Sequence, residues 1–424
     1  MGPGRSREWR AIAAPAAAGL LARLALIALT TPLTLSLDEE RLWDLAGSRM
    51  HASAFLPPFF PFVLAGLRSL TADSILAVRV VLACGAVASI VLVYRLAERQ
   101  NGPGAGRTPA WIAALLPTLI YFDGRLRSES LTILLLLAFT FLWTGPRQDQ
   151  ARPLLAAGVL AGLIVLARPE LGLFPLILVF IGLRRAEGRR VLRRALLLLP
   201  GLLLLVVPWM VRNERVVGSR VVSTNGGYNF WKSFNPETDG SQVPVTDFSL
   251  WEGMPEERMD AVGYEAGWRY IAEHPVRSLL LAPAKWGHLF GPERDVLSDL
   301  RQGHVPRRSL LADLLFPFVQ NVCWALLFGW GLYSLLGPLR SQVKDATLSL
   351  LATLLVAHAV FLGDDRFHVP LVPFLCIALP EAWDGSVRGR GALRALLLLL
   401  FGEALVWVYI LARDAGRIAA LIGG

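Results

Sequence analysis

The sequence predicts an α-helical polytopic membrane protein, with about eleven transmembrane helices and a small mixed α/β extracytoplasmic domain. Three observations predict it. The chain has 424 residues, of which 54% are hydrophobic, and a mean hydropathy of +0.50, more apolar than a water-soluble chain of this length sustains. Apolar stretches of roughly 17–25 residues, the length that crosses a bilayer as a helix, recur along it. The basic residues fall in the short segments between those stretches, the charge asymmetry that orients helices in a membrane.

The spans are expected near 12–35, 74–94, 109–122, 129–144, 153–167, 169–183, 195–212, 310–335, 346–362, 369–383 and 395–411. The third, fifth, sixth and tenth are short for a full crossing. With a cytoplasmic N-terminus, the inside segments are 1–10, 95–108, 145–152, 183–194, 337–345 and 384–394. Together they hold 19 Lys/Arg against 6 Asp/Glu, whereas the long segment 213–308 on the other side holds 11 against 13. Each inside segment obeys the positive-inside rule, which places the protein in the cytoplasmic membrane as a multi-pass chain. The net charge of +9 is thus a signature of topology, and a nucleic-acid partner is not expected. The first apolar run is long enough to span and has no small-x-small cleavage site before Asp38, so a retained span is expected rather than a cleaved leader.

Three parts follow from this division: residues 1–212 as a transmembrane catalytic module that includes a first outer loop at 36–73, 213–308 as an extracytoplasmic domain, and 309–424 as C-terminal transmembrane helices. In the first loop, Asp38 to Arg49 reads as a short interfacial helix with Leu42, Trp43, Leu45 and Ala46 toward lipid. Pro57, Pro58 and Pro61 would end it. In the second outer region, Val216-Val217 and Arg220-Val221-Val222 read as short strands with turns at Gly218 and Asn225-Gly226-Gly227. Residues 255–275 read as a helix. Tryptophans such as Trp143 and Trp324 read as interfacial belt anchors.

Chemistry is expected where charge meets the membrane, because ionisable groups there are costly and are usually retained for function. Asp38-Glu39-Glu40 lies at the outer mouth of the first span. A partly desolvated carboxylate has its pKa pushed upward, which suits a general base acting on a hydroxyl. The competing role is to cap the interfacial helix. Arg125, Arg127, Asp123 and Glu129 crowd the turn before the fourth span. They either line a polar cavity, where an arginine fork suits phosphate, or neutralise one another. Arg168-Pro169-Glu170 and Asp364-Asp365-Arg366-Phe367-His368 lie at the same outer level. Arg366 and Arg168 are candidate anion ligands, although Arg168 also suits snorkelling. His368 stands near Arg366, where phosphate contact competes with a plain interfacial role. The histidines lack ligand spacing, so zinc is not expected. The three cysteines, Cys84, Cys323 and Cys376, lie in expected spans and have no metal spacing. Gly226-Gly227 lacks the strand and helix of a nucleotide loop.

Together these stretches resemble the polytopic glycosyltransferases of the GT-C type. The resemblance is to the family-39-like group related to dolichyl-phosphate-mannose protein mannosyltransferases and lipid A aminoarabinose transferases. It is carried by Leu37-Asp38-Glu39 with Leu45-Ala46 and Pro57 to Pro61, by Ser128-Glu129, and by Leu166 to Glu170. It continues through Pro208 to Asn213, Ser223 to Trp231 and Asn235-Pro236, and ends with Arg366-Phe367-His368-Val369-Pro370 and Pro373. The order and the topological side agree from about residue 37 to 375. Two departures stand out: Trp43 occupies the place of a common tyrosine, and the larger C-terminal soluble part of the aminoarabinose transferases is missing.

The resemblance implies a polyprenyl-phosphate sugar as donor, used at the outer face, and a glycan, lipid or protein acceptor. Asp38 would be the base of an inverting displacement, with Glu39 or Glu129 orienting the acceptor or pairing with an arginine. Arg366, with Arg127 or Arg168, would hold the phosphate. Residues 224–231, Asn225 and Tyr228 among them, would cover the cavity from outside. No cofactor is implied; relatives that use monophosphate lipids generally lack an obligatory metal, while the nearby acids leave a divalent ion open. A transporter or flippase, or an oligosaccharide polymerase or ligase, is the alternative. The first is disfavoured by the lack of paired broken helices in matching halves.

Overall fold

The computed structural model describes residues 3–49, 52–185, 188–241, 251, 254–383 and scattered positions between 394 and 412. The described chain is mostly helical. The long apolar runs form α1 (Pro3–Leu29), α4 (Ile75–Asn101), α10 (Gly188–Val217), α15 (Leu310–Leu335) and α16 (Gln342–Val360). All five are long and apolar enough to cross a membrane. Polar residues set their ends: Ser74, Ser309 and Ser341 each accept a bond from a backbone N–H in the first turn of α4, α15 and α16, satisfying donors that the helix itself leaves free.

The shorter expected spans are built differently. Residues 109–122 are not one helix: Leu116 is extended before Pro117, which excludes the helical region for the residue ahead of it. The stretch divides into α5 (Arg107–Leu115) and α6 (Pro117–Asp123). The helices α7 (Glu129–Trp143) and α8 (Ala151–Ala167) are short because much of their surface meets protein. Leu135, Leu136, Leu137, Phe139 and Ala157 belong to the main core. Residues 169–183 become a 3₁₀ turn at Pro169–Gly172 followed by α9 (Leu173–Arg184), and 369–383 become a 3₁₀ turn at Asp365–Leu371 followed by α17 (Val372–Trp383). The expected span 395–411 and the basic segment 384–394 lie largely outside the described residues, as does His51.

Small residues bring helices together, as expected where the surrounding solvent is as apolar as the side chains. A Cβ on Gly158 of α8 would lie 2.0 Å from the Leu198 carbonyl oxygen of α10, and one on Gly201 of α10 would lie 2.4 Å from that of Leu155. The one charge in the first span, Arg23, is buried. Its Nε donates to Asp123 Oδ2 at 2.7 Å and its Nη1 to the carbonyls of Gly19 and Ala114, both at 2.9 Å.

Several expectations are corrected. The segment expected as mixed α/β holds no strand among the described residues. Val216-Val217 complete the last turn of α10, and of the second expected strand Val221 and Val222 are bends. The segment instead forms α11 (Gly226–Ser233), α12 (Glu256–Glu273), α13 (Pro275–Leu289) and α14 (Asp295–Gln302). Gly227 serves close packing: its Cβ would sit 1.8 Å from the Asp260 carbonyl oxygen of α12. The first-loop helix exists as α2 (Leu37–Asp44), which runs into a π-helical turn at Leu45–Arg49 and is followed by α3 (Phe59–Leu70). Three of the four residues expected to face lipid pack against protein instead. Ala46 is buried with Phe60 and Leu64, and Leu42 and Trp43 pack against them. Trp143 and Trp324 are buried in the core rather than anchored at an interface.

Candidate active site

The site is assembled at one end of the bundle, where α2, the turn after α6, the loop after α16 and the cap helices meet. Ser36 N-caps α2, and its side chain and that of Glu39 form a reciprocal capping box. That cap fixes the first turn, so the consecutive residues Asp38 and Glu39 point in different directions.

Glu39 points inward and is fully buried. Arg125 Nε donates to its Oε1 at 2.9 Å, the Leu126 N–H donates to the same oxygen at 3.0 Å, and the Ser36 N–H donates to Oε2 at 3.0 Å. Arg125 Nη1 lies 2.8 Å from Asp299 Oδ2, and Tyr121 donates its hydroxyl proton to that carboxylate. Burial raises the Glu39 carboxyl, but Arg125 and Arg127 outweigh it and hold its pKa below the ordinary range. Beside this ladder, Arg127 is paired with Asp295 at 2.9 Å.

Asp38 points outward from the ladder and keeps 42% of its side chain exposed. Arg366 Nη1 donates to its Oδ2 at 2.7 Å. The expected upward pKa shift is corrected: burial does raise the carboxyl, but the Arg366 charge and hydrogen bond, with Arg127 and Arg41, prevail and lower it. Asp38 is therefore ionised at neutral pH while Arg366 stays in contact. Arg366 is itself partly buried, and Asp38 and Asp364 raise its pKa against the cost of burial. Asp364 caps the 3₁₀ turn by accepting from the Arg366 N–H at 3.3 Å.

The remaining candidates divide. Arg168 Nη2 donates to Glu129 Oε1 at 3.2 Å, and its guanidinium lies 5.2 Å from the centre of the Phe367 ring. It is buried and paired rather than snorkelling. The second oxygen of Glu129 is buried without a hydrogen-bond partner. Tyr228 on α11 lies within electrostatic reach of Asp38 and Arg41, and burial raises its pKa. Its ring packs against Phe55, Trp231 and Trp251. Asn225 is the N-cap residue of α11, and its side chain accepts from the Ser223 hydroxyl at 2.9 Å. His368 is fully buried. It stacks on Trp324 with ring centres 3.7 Å apart, its Nε2 lies 3.1 Å from Glu293 Oε1 and its Nδ1 lies 2.6 Å from the Leu289 carbonyl. Those contacts occupy both ring nitrogens and leave it no free edge toward a phosphate.

Residues to which the sequence assigned no specific role complete the arrangement. Arg125 stood in the charged turn, but nothing local distinguished it from Arg127. Asp295 and Asp299 stand four residues apart, which puts both on one face of α14, and that spacing was a readable signal. Lys232 had none. It extends from α11 into the same cluster, where burial and Arg366 lower its pKa against the opposing pull of Asp38 and Asp364. Among the described residues, no three His, Cys, Asp or Glu side chains gather as a cation site.

Residues 56–211 match the family model described as dolichyl-phosphate-mannose-protein mannosyltransferase. Over 94% of this chain, the fold is similar to the crystal structure of the Archaeoglobus fulgidus oligosaccharyltransferase in the apo form, with a TM-score of 0.52 and 14% identity. The chain spans 54%, about half, of the length of that protein. It is also similar, with a TM-score of 0.43 and 14% identity over 88% of this chain and 77% of that one, to ArnT from Cupriavidus metallidurans bound to undecaprenyl phosphate. No curated protein matches the chain. The resemblance to GT-C type glycosyltransferases thus holds in the family model and in the fold.

Proposed function

We propose that the protein is an inverting glycosyltransferase that moves a sugar from a polyprenyl-phosphate donor to an acceptor hydroxyl. The reaction takes place at the outer face of the cytoplasmic membrane. The observation that carries this reading is the contact between Asp38 and Arg366, 2.7 Å apart and 328 positions apart in sequence. It joins a half-exposed carboxylate to a partly buried guanidinium at the mouth of an apolar bundle. A base and an anion ligand side by side are what a phosphate leaving group and an alcohol nucleophile require.

The acceptor oxygen attacks the anomeric carbon as the bond from that carbon to the phosphate oxygen breaks. The acceptor proton goes to Asp38, and the polyprenyl phosphate leaves as an anion held by Arg366, with Lys232 as a second cation. The shared arginine also times the base. A donor phosphate that takes Arg366 removes the charge that keeps Asp38 acidic, and burial then makes the carboxylate more basic. Glu129 with Arg168, and Arg127 with Asp295, form the wall beside it. Tyr228 and Asn225 on α11 cover it, while Glu39 and His368 hold the frame from beneath.

The test uses cells with and without the gene, with envelope glycolipids and glycoproteins compared by mass spectrometry. A sugar modification is expected to disappear with the gene and return with the parent sequence. With Asp38→Asn at equal membrane abundance it should return about 10²–10⁴-fold more slowly, the usual loss for a missing general base. Full restoration by Asp38→Asn would remove the base assignment.

A further inference from the structure

Lys285 is a buried ammonium in α13 that the transfer chemistry does not use. It is fully buried, and its Nζ donates to the carbonyls of Val360 at 3.1 Å and Ala359 at 3.4 Å. These are among the last carbonyls of α16, which have no partner within the helix and form its negative end. The Phe234 ring covers the same ammonium, 3.6 Å from its centre, an arrangement that favours a desolvated cation.

The chain then turns directly across the Lys285 backbone. A Cβ on Gly363 would fall 1.8 Å from the Lys285 carbonyl oxygen, and one on Gly240 would fall 3.1 Å from Lys285 Cγ. Those two glycines meet each other, since the Gly363 N–H donates to the Gly240 carbonyl at 2.9 Å. Ser241 and Gly363 form an isolated parallel bridge. Three residues after Gly363 comes Arg366, against Asp38.

We propose that Lys285 is a positioning residue for Arg366: by holding the end of α16 it fixes the loop Leu362–Arg366 in the register that brings the guanidinium to Asp38 and to a bound phosphate. The phosphate part rests on the donor class given above, whereas the loop part stands on the contacts alone.

Burial pushes the Lys285 ammonium down to about 7, so the latch is charged below that pH and loses its charge as pH rises through it. The titratable group that feels its charge is His358 from α16; His288, one turn further along α13, lies 3.9 Å from Asp239 of the segment after α11.

The experiment uses the full chain in lipid nanodiscs and takes two readings, between pH 6 and pH 8.5, on the parent, Lys285→Met, Lys285→Arg and Arg366→Gln. The first reading is backbone hydrogen exchange over residues 361–367. Lys285→Met is expected to exchange there at least tenfold faster at pH 6, and Lys285→Arg to restore protection. Equal protection in all three overturns the proposal, whatever the ligand. The second reading is affinity for undecaprenyl phosphate. Lys285→Met is expected to lose about tenfold at pH 6, and the parent's advantage over it to shrink toward pH 8.5. Lys285→Arg should keep its advantage across the range. Titration of the phosphate is common to all variants and cancels in these ratios. A parent that does not bind the lipid, or that binds it equally after Arg366→Gln, overturns the donor reading and leaves the loop to be decided by exchange. Lipid binding that needs Arg366 and is unchanged in Lys285→Met overturns the positioning role.

Discussion

Asp38 and Glu39 are neighbours on one helix, and their side chains leave it about 100° apart. That rotation separates chemistry from structure. Glu39 turns toward Arg125 and a cluster of backbone donors, and no face of it remains for a substrate. Asp38 turns toward Arg366 and keeps an open side. Glu39→Gln removes the anion from a fully buried pair and leaves the Arg125 charge under-compensated, which costs about 3–5 kcal/mol. The expected result is a large fall in the thermal midpoint in detergent, with Asp38→Asn close to the parent. Similar midpoints for the two variants would contradict this division of roles. The sequence drew attention to the acidic run and to Arg366, because charge beside an apolar span stands out. It favoured Asp38 over Glu39 as the base but could not say which of Arg125 and Arg127 meets Glu39, since that choice depends on rotation about helices that the sequence does not align.

Among the elements, the long spans were the most legible and the short ones the least. A run of apolar residues states its own length, so α1, α4, α10, α15 and α16 stand near their expected places. Whether a shorter run meets lipid or protein is not written in its composition. The packing of α8 on α10 shows what decides it. Gly158 and Gly201 let two backbones touch, and such contact tolerates no added atoms. Gly158→Val would drive a side chain into the Leu198 carbonyl and is expected to cost about 1–3 kcal/mol, as over-packed sites do. Gly66→Ala in α3, where a Cβ meets open space, is the control and should raise stability by about 0.5–1 kcal/mol, the ordinary gain when a glycine inside a helix is replaced. Thermal unfolding in detergent measures both, and equal midpoints would show that the contact does not govern the pair. The expected strands at 216–222 failed for a related reason. β-branched residues favour strands only where a neighbouring strand can pair with them, and here α10 continues through Val217.

For the molecule as a whole, the charge distribution predicts that Asp44 and Arg147 lie on opposite sides of the membrane. Both side chains are exposed. With Cys84, Cys323 and Cys376 replaced, a cysteine at position 44 should react in intact cells with a membrane-impermeant maleimide, and one at position 147 should react only after the membrane is opened. Labelling of both in intact cells would contradict the two-sided topology, and labelling of position 147 alone would reverse it and remove the outer-face assignment of the site. The sequence by itself determined that the chain is helical, membrane-embedded and charged at a few interfacial points, because bilayer thickness and the cost of burying charge act on any segment one at a time. Only the tertiary structure decided which of those charges meet. Asp38 reaches Arg366, Glu39 reaches Arg125, Arg127 reaches Asp295, and Lys285 reaches the end of α16. Each of these pairs joins segments distant in sequence, and the physical reason is that partner choice follows from how helices are rotated and stacked against one another, which no local pattern specifies.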